Sequence, residues 1–292
     1  MKFSDSEEVP TSKPVSTSRH AALSPSRVKE LRQCPLKFRL RTINRIVEQP
    51  SKSALRGTLV HRVLEQLFTL PQGERTEEEA MALLEPSWEE LCESPIHDTE
   101  IFESDKEFRE WYASARPLIS AYFRLENPNG LVPVGMERFV EAVLPSGLAI
   151  RGVIDRLDKS PTGELRVVDY KTGKSPNPRF QDDYIFQMRF YATALQFAEG
   201  ILPMRTQLLF LKDARTLTYD PPAESVHETV RELEDAWEEI EHRCDNDSFL
   251  PRESPLCNWC NLQHLCPAKG GEAPETSPEG VEHLKTAIRP VP

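Results

Sequence analysis

Three short runs rich in Val, Ile and Leu, at residues 135–144, 148–157 and 164–170, are divided by Pro145-Ser146-Gly147 and by Ser160-Pro161-Thr162-Gly163. The dividers are turn sequences, so the runs pair as an antiparallel three-strand meander. A helical stretch at about 182–198 follows, then another apolar run at 206–211. Helix, three strands, helix, strand is therefore the core order, and it specifies an α/β fold with added helices.

The meander also places chemistry. Asp155 closes the run 150–154 and Asp169 closes 165–168, in neighbouring strands joined by a tight turn. Two carboxylates brought that close repel each other unless a cation sits between them, and a hard divalent ion such as magnesium or manganese takes oxygen ligands of this kind. Lys171 lies two residues past Asp169, so strand alternation points both side chains to one face. An ammonium there can hold an attacking water and offset charge developing on a phosphate.

A competing reading starts from Gly173-Lys174-Ser175, which looks like the end of a phosphate-binding loop. Such a loop needs a first glycine five residues earlier and a helix straight after it. Position 168 is Val168, and Pro176-Asn177-Pro178 starts no helix. The nucleotide-binding reading fails on both counts.

Upstream, Ser24 followed by Pro25 marks a helix start, with a break expected at Pro35. A second helix is expected over about 58–70, with Val60, Val63, Leu64, Leu67 and Phe68 as its apolar stripe and His61 and Glu65 beside it. Residues of about 72–130 read as a helical insertion carrying Trp88, Phe108, Trp111 and Tyr112, and Val230, Leu233, Trp237 and Ile240 mark a late amphipathic helix. Residues 1–21 and 268–292, rich in Ser, Pro, Glu, Thr and Gly, read as disordered tails flanking one domain at 22–267.

The formal net charge of −11 opposes nucleic-acid binding in sum, but the charge is segregated. From Arg27 to Arg62 there are ten Lys and Arg against two acids, and from Gln72 to Glu110 fourteen acids against three bases. The basic block is expected to border a polyanion groove, because local field outweighs the sum. No apolar run reaches membrane-spanning length, and the opening MKFSDSEEVP has no signal-peptide core, so a cytoplasmic protein without a membrane partner is expected.

These residues carry a resemblance. Gly57-Thr58-Leu59-Val60-His61-Arg62-Val63-Leu64-Glu65, Gly152-Val153-Ile154-Asp155, Val168-Asp169-Tyr170-Lys171-Thr172-Gly173 and Gln187-Met188-Arg189-Phe190-Tyr191 resemble, in order, the motifs of the PD-(D/E)XK nuclease superfamily in its RecB-like exonuclease branch. The resemblance covers about 23–267; one departure is Ile154 where many members have Pro. It implies a PD-(D/E)XK core in which His61, Asp155 and Asp169 bind metal, Tyr170 lends a backbone carbonyl and Lys171 is catalytic. Gln187 and Tyr191 would support the site and contact DNA, with Phe38 and Tyr191 as candidate base-stacking aromatics.

Cys257, Cys260 and Cys266 form a C-x2-C-x5-C claw, and Cys34 is the best candidate for a fourth ligand. By chemistry alone four thiolates suit zinc or an iron–sulfur cluster. The arrangement resembles the 4Fe-4S staple of AddB-type and CRISPR-associated spacer-acquisition nucleases, which implies a cluster clamping the first helix to the C-terminal region. Cys92 and Cys244 lack partner spacing and are expected to be ordinary residues. The expected function is a magnesium- or manganese-dependent DNA exonuclease in repair or recombination, acting on single-stranded DNA or free ends, with a possible helicase or repair partner. The alternatives are a nuclease-like DNA-binding subunit of a helicase–nuclease complex and a CRISPR spacer-acquisition nuclease.

Overall fold

In the computed structural model, which describes residues 20–48, 51–93 and 101–289, the chain opens as its caps dictate. The Ser24 side chain accepts from the Arg27 amide, Pro25 takes the first turn, and helix α1 (Pro25–Gln33) ends at Cys34. Pro35 starts a new short helix, α2 (Pro35–Phe38), which continues as a wider π-type turn over Arg39–Ile43. Helix α3 (Lys52–Leu67) begins six residues earlier than its apolar stripe suggests, because Ser51 caps it by accepting from the Ala54 amide. The insertion is helical: α4 (Glu77–Ala82), α5 (Leu84–Cys92), α6 (Asp105–Ala113) and α7 (Arg116–Leu125).

The meander forms as expected, with β1 (Pro133–Val143), β2 (Ala149–Lys159) and β3 (Leu165–Lys171) antiparallel in sequence. Helix α8 (Asp182–Glu199) then crosses over and returns β4 (Arg205–Phe210) parallel to β3. A fifth strand, β5 (Arg215–Tyr219), pairs antiparallel with β4 at the edge, giving the order β1-β2-β3-β4-β5. Sequence reasoning missed it because RTLTY is polar and mostly exposed, as an edge strand tolerates. The long helix α9 (Glu224–Asp245) follows.

Two cores flank the sheet. On one side Phe186, Phe190, Tyr191, Ala194 and Leu195 of α8 pack with Ile150, Ile154, Leu157 and Val167, and with Leu233, Trp237 and Ile240 of α9. On the other, Leu59, Val60, Val63 and Leu64 of α3 and the aromatic side chains of the insertion pack against Val168, Tyr170 and Leu209. The catalytic-type side chains thus lie between two helical layers, at the rim of the central strands.

The C-terminal expectation needs correcting. Within the segment 268–292, read as a disordered tail, helix α10 (Pro278–Lys285) is capped by Ser277 and docks onto the core. Leu284 and Ala287 are buried, the Ala149 amide donates to the Ala287 carbonyl at 2.7 Å, and Gly280 sits so close to the Ile43 carbonyl that a Cβ would lie 2.0 Å from it. Composition averaged over 25 residues hides one capped helix of about two turns with apolar residues three apart. At the other end Ala21 is buried and its amide donates to Thr286 Oγ1 at 2.7 Å, so the ordered chain begins earlier than residue 22. Residues 1–19 and 290–292, the rest of the two tails, lie outside the described residues. Among the described residues no helix is long and apolar enough to cross a membrane.

Candidate active site

The site is built where β2 loses its regular alternation. Ile154 and Leu157 are three apart yet both join the core under α8, whereas a regular strand would point them to opposite faces. Across from this irregularity Glu137 adopts φ 44°, and the ladder passes from Met136↔Arg156 to Arg138↔Ile154 in unchanged register but without a Glu137–Asp155 pair. A left-handed residue interrupting the ladder in this way re-aims the side chains beside it. Here it turns Asp155 inward, so that Asp155 Oδ2 accepts the Tyr170 amide at 2.7 Å and lies 3.4 Å from His61 Nδ1.

His61, Glu137 and Asp155 each offer a ligand atom, and the three atoms lie within 4.8 Å of one another, the one such group among the described residues. Two oxygens and an imidazole nitrogen are donors that a divalent cation accepts. Burial raises the Glu137 carboxyl to about 8, with Asp155, Glu65 and Asp169 adding repulsion. Burial likewise raises Asp155 to about 6, against the opposing pull of His61. A crowd of buried carboxylates that resist ionisation is the electrostatic complement of a cation.

Asp169, expected beside Asp155, stands next to this trio rather than in it. Gln187 donates from Nε2 to Asp169 Oδ1 at 2.8 Å, and the Lys171 ammonium is 2.7 Å from Asp169 Oδ2. Burial works against the Lys171 charge, but Asp169 outweighs it and raises the pKa, so the ammonium is held protonated. Gln187 Nε2 also reaches the Tyr191 hydroxyl at 3.2 Å, one turn along α8, as the spacing predicts. The Tyr191 ring in turn packs on Gly152, whose missing Cβ would come 3.0 Å from it. On the opposite side Gly57 of α3 lies against Thr172, where a Cβ would be 3.3 Å from the hydroxyl. Two small residues thereby let α3 and α8 close on the strand ends.

The Tyr170 side chain faces away from the trio. Its hydroxyl accepts from the fully buried Arg156 at 2.5 Å, and Arg156 also meets Tyr122, Glu126 and Asp158. Arg166 joins Glu126 and Asp158 from β3, completing a buried charge network behind the site. Beside His61, an open cleft lined by Gly57, Thr58, Arg62, Glu65 and Glu137 gives access.

One expectation for nucleic-acid contact is overturned. Phe38 is fully buried and stacks on Phe249, and Tyr191 is only 6 % exposed, so neither ring is open to a base. Half of the basic block is engaged in ion pairs: Lys29 with Asp183, Arg32 with Glu232, Arg41 with Glu30 and Glu48, Lys52 with Glu107, and Arg62 with Glu65 and Glu90. The acids that neutralise Lys52 and Arg62 come partly from the acidic insertion, which explains why the two blocks occur together in one chain. Glu137 is the residue sequence reasoning missed. Its signal was a glutamate in register with Asp155, legible only once the pairing of the first two strands is known.

The loop after β3 is no phosphate cradle: the Ser175 hydroxyl donates to Asp213 Oδ2 at 2.6 Å, and Lys174 is exposed. Cys34, Cys257, Cys260 and Cys266 line one cavity and are free thiols. Donor kind and number fit a metal or cluster, although these four sulphurs are not drawn to ligand distance. Cys92 is exposed, while Cys244 packs against the core and is raised to about 11 by burial.

The model of the PD-(D/E)XK nuclease superfamily matches residues 22–267. The Gene 69 protein of Mycobacterium phage D29 is 24% identical over 268 residues, covering 84% of this chain and 96% of that protein. The Gene 69 protein of Mycobacterium phage L5 is 32% identical over 124 residues, covering 41% of this chain and 40% of the other. A crystal structure from Eubacterium rectale, of a protein designated a candidate exonuclease, superposes with a TM-score of 0.51 at 13% identity, over 82% of this chain and 86% of that one.

Proposed function

The chain belongs to the PD-(D/E)XK nuclease superfamily, and from that premise we propose that it is a divalent-metal-dependent deoxyribonuclease of the RecB-like branch, working from DNA ends in repair or recombination. The observation that carries the reading is the convergence of His61, Glu137 and Asp155 beside the Asp169–Lys171 pair. His61, Asp155 and Glu137 would hold magnesium or manganese, with Asp169 and the Tyr170 carbonyl as the further ligands that the motif implies. When bound, such a cation supplies Lewis acidity toward a phosphoryl oxygen.

The chain's own groups do the rest. The Tyr170 amide fixes the Asp155 carboxylate, and Gln187 fixes Asp169, so neither carboxylate needs to reorganise during the reaction. The Lys171 ammonium is placed to orient an attacking water by donating to it and to offset negative charge growing on the phosphate. Tyr191 supports this arrangement by bracing Gln187.

Cys34, Cys257, Cys260 and Cys266 would hold a 4Fe-4S cluster, with zinc as the other occupant the same donors accept. Their shared cavity supports this assignment. The nuclease reading is tested by incubating the purified protein with end-labelled single- and double-stranded DNA and magnesium or manganese. Digestion is expected from the labelled ends, and Asp169→Asn and Lys171→Ala should each reduce the rate by about 100-fold or more. Absence of digestion with either metal, or full activity in both variants, rejects it.

A further inference from the structure

Phe38 and Tyr191 are closed to a base, but a third aromatic ring beside the site is open. Phe180 is 74 % exposed, the most exposed of the described phenylalanines. It ends the short turn Pro178–Phe180, in the loop that joins β3 to α8 between Lys171 and Gln187. That loop is braced along its length. The Leu211 amide donates to the Lys171 carbonyl at 2.8 Å, and the Ser175 amide and hydroxyl donate to Asp213 at 3.1 and 2.6 Å. Asn177 then accepts the Arg179 amide on its side chain at 3.1 Å and the Phe180 amide on its carbonyl at 2.8 Å. A large apolar ring is thus held out in water by a turn with its own hydrogen bonds, and covering it would be favourable.

Helix α8 fixes where the ring stands. Tyr184 packs edge-on against Phe210, which pairs with Lys171 across β3 and β4; Gln187 holds Asp169, and Tyr191 lies on Gly152. Phe180 lies about one turn before Tyr184 and two before Gln187, or roughly 10 Å along the axis from the residue that holds Asp169. From Lys171 to Phe180 the chain carries Lys171, Lys174 and Arg179 and no acid, and Lys174 and Arg179 are both exposed. The first turn of α8 is acidic instead: Asp182 is exposed and Asp183 is drawn to Lys29 at 3.5 Å. The loop, rather than the helix end, is therefore the cationic part of this rim. An open aromatic face among cations, a short way from the reacting groups, suits a polyanion that also offers flat apolar faces.

We propose that Phe180 is a base-stacking platform for a single strand of DNA whose backbone runs past Lys174 and Arg179 into the site. The proposal rests on the deoxyribonuclease reading above and names how the chain holds its strand. The stacked base belongs to a nucleotide close to the phosphate that meets Lys171. Stacking accepts every base, because each has a π face, so the platform holds a strand without reading its sequence. Phe180 reaches no reacting atom and acts as a positioning residue.

The test is binding in EDTA, kept apart from cleavage. Single-stranded 12-mers carry 2-aminopurine at successive positions, and quenching of its fluorescence reports stacking. Phe180→Ala should weaken binding by about 5- to 150-fold and abolish the quenching at the position that the wild type stacks. Phe180→Tyr should keep both. An abasic site at that position should weaken binding to the wild type but cost Phe180→Ala nothing further, since ring and base form one contact. Lys174→Gln should lower the slope of log affinity against log salt by about 0.7. Phe197→Ala, at the far end of α8, should leave affinity and quenching as they are. Unchanged affinity and quenching in Phe180→Ala, equal abasic losses in both proteins, or no binding of the 12-mers by the wild type overturns the platform. Absence of digestion by the wild type with the Phe180-dependent quenching intact would instead reject the nuclease reading and leave the platform standing.

Discussion

Glu137 and Asp155 are carboxyls whose ionisation the fold resists, and that has a measurable sign. Their folded pKa values, about 8 and about 6, lie above the ordinary carboxylate range. Between roughly pH 4 and 8 the folded state therefore holds more protons than the unfolded chain, so these two groups lower stability as pH rises through that window. In EDTA, the melting temperature should fall across it more steeply for the wild type than for Glu137→Gln, as calorimetry would read. Magnesium or manganese should raise the melting temperature more at the alkaline end, because there the ligands no longer have to lose protons to bind. Asp155, Asp169 and Lys171 were legible in the sequence because their spacing relative to two strand ends is local. Glu137 was not, because its part depends on a left-handed residue in a different strand.

Behind the site, β2 and β3 are tied to the helical insertion by the Arg156 network. Arg156 is fully buried among Tyr122, Tyr170, Glu126 and Asp158, and removing one partner of such a set leaves charge without compensation. Arg156→Ala should cost about 3–5 kcal/mol in urea unfolding. Helix α10 is the other unit whose weight was hidden. Leu284 is buried against the core that also holds Ala21 and Ile43, so Leu284→Ala should cost about 2–5 kcal/mol, whereas a dangling tail would show no change. The helix caps at Ser24 and the break at Pro35 were readable because capping and proline geometry act within a few residues. The polar edge strand β5 and the docked α10 were not, since each is stabilised by a surface that the rest of the chain builds.

Across the whole molecule, Cys34 and the C-x2-C-x5-C claw, more than 220 residues apart in sequence, line one cavity. If they hold a cluster, Cys34→Ser should abolish the visible absorbance of anaerobically purified protein and lower its melting temperature, by freeing a very long loop. An unchanged spectrum in the variant would remove Cys34 from the ligand set. Charge follows the same logic at this range. The basic and acidic blocks, opposite in sign and adjacent in sequence, meet through Lys52–Glu107 and Arg62–Glu90. The sequence by itself determined the meander, its acid-tipped strands, Lys171 and the helical spacing of Gln187 and Tyr191, all set by alternation, turns and helical periodicity over short spans. Only the tertiary structure decided that Glu137 joins His61 and Asp155, that Phe38 and Tyr191 are closed to solvent, and which members of the basic block meet acidic partners. Those outcomes depend on side chains from distant segments competing for the same neighbours, and no local pattern records who wins.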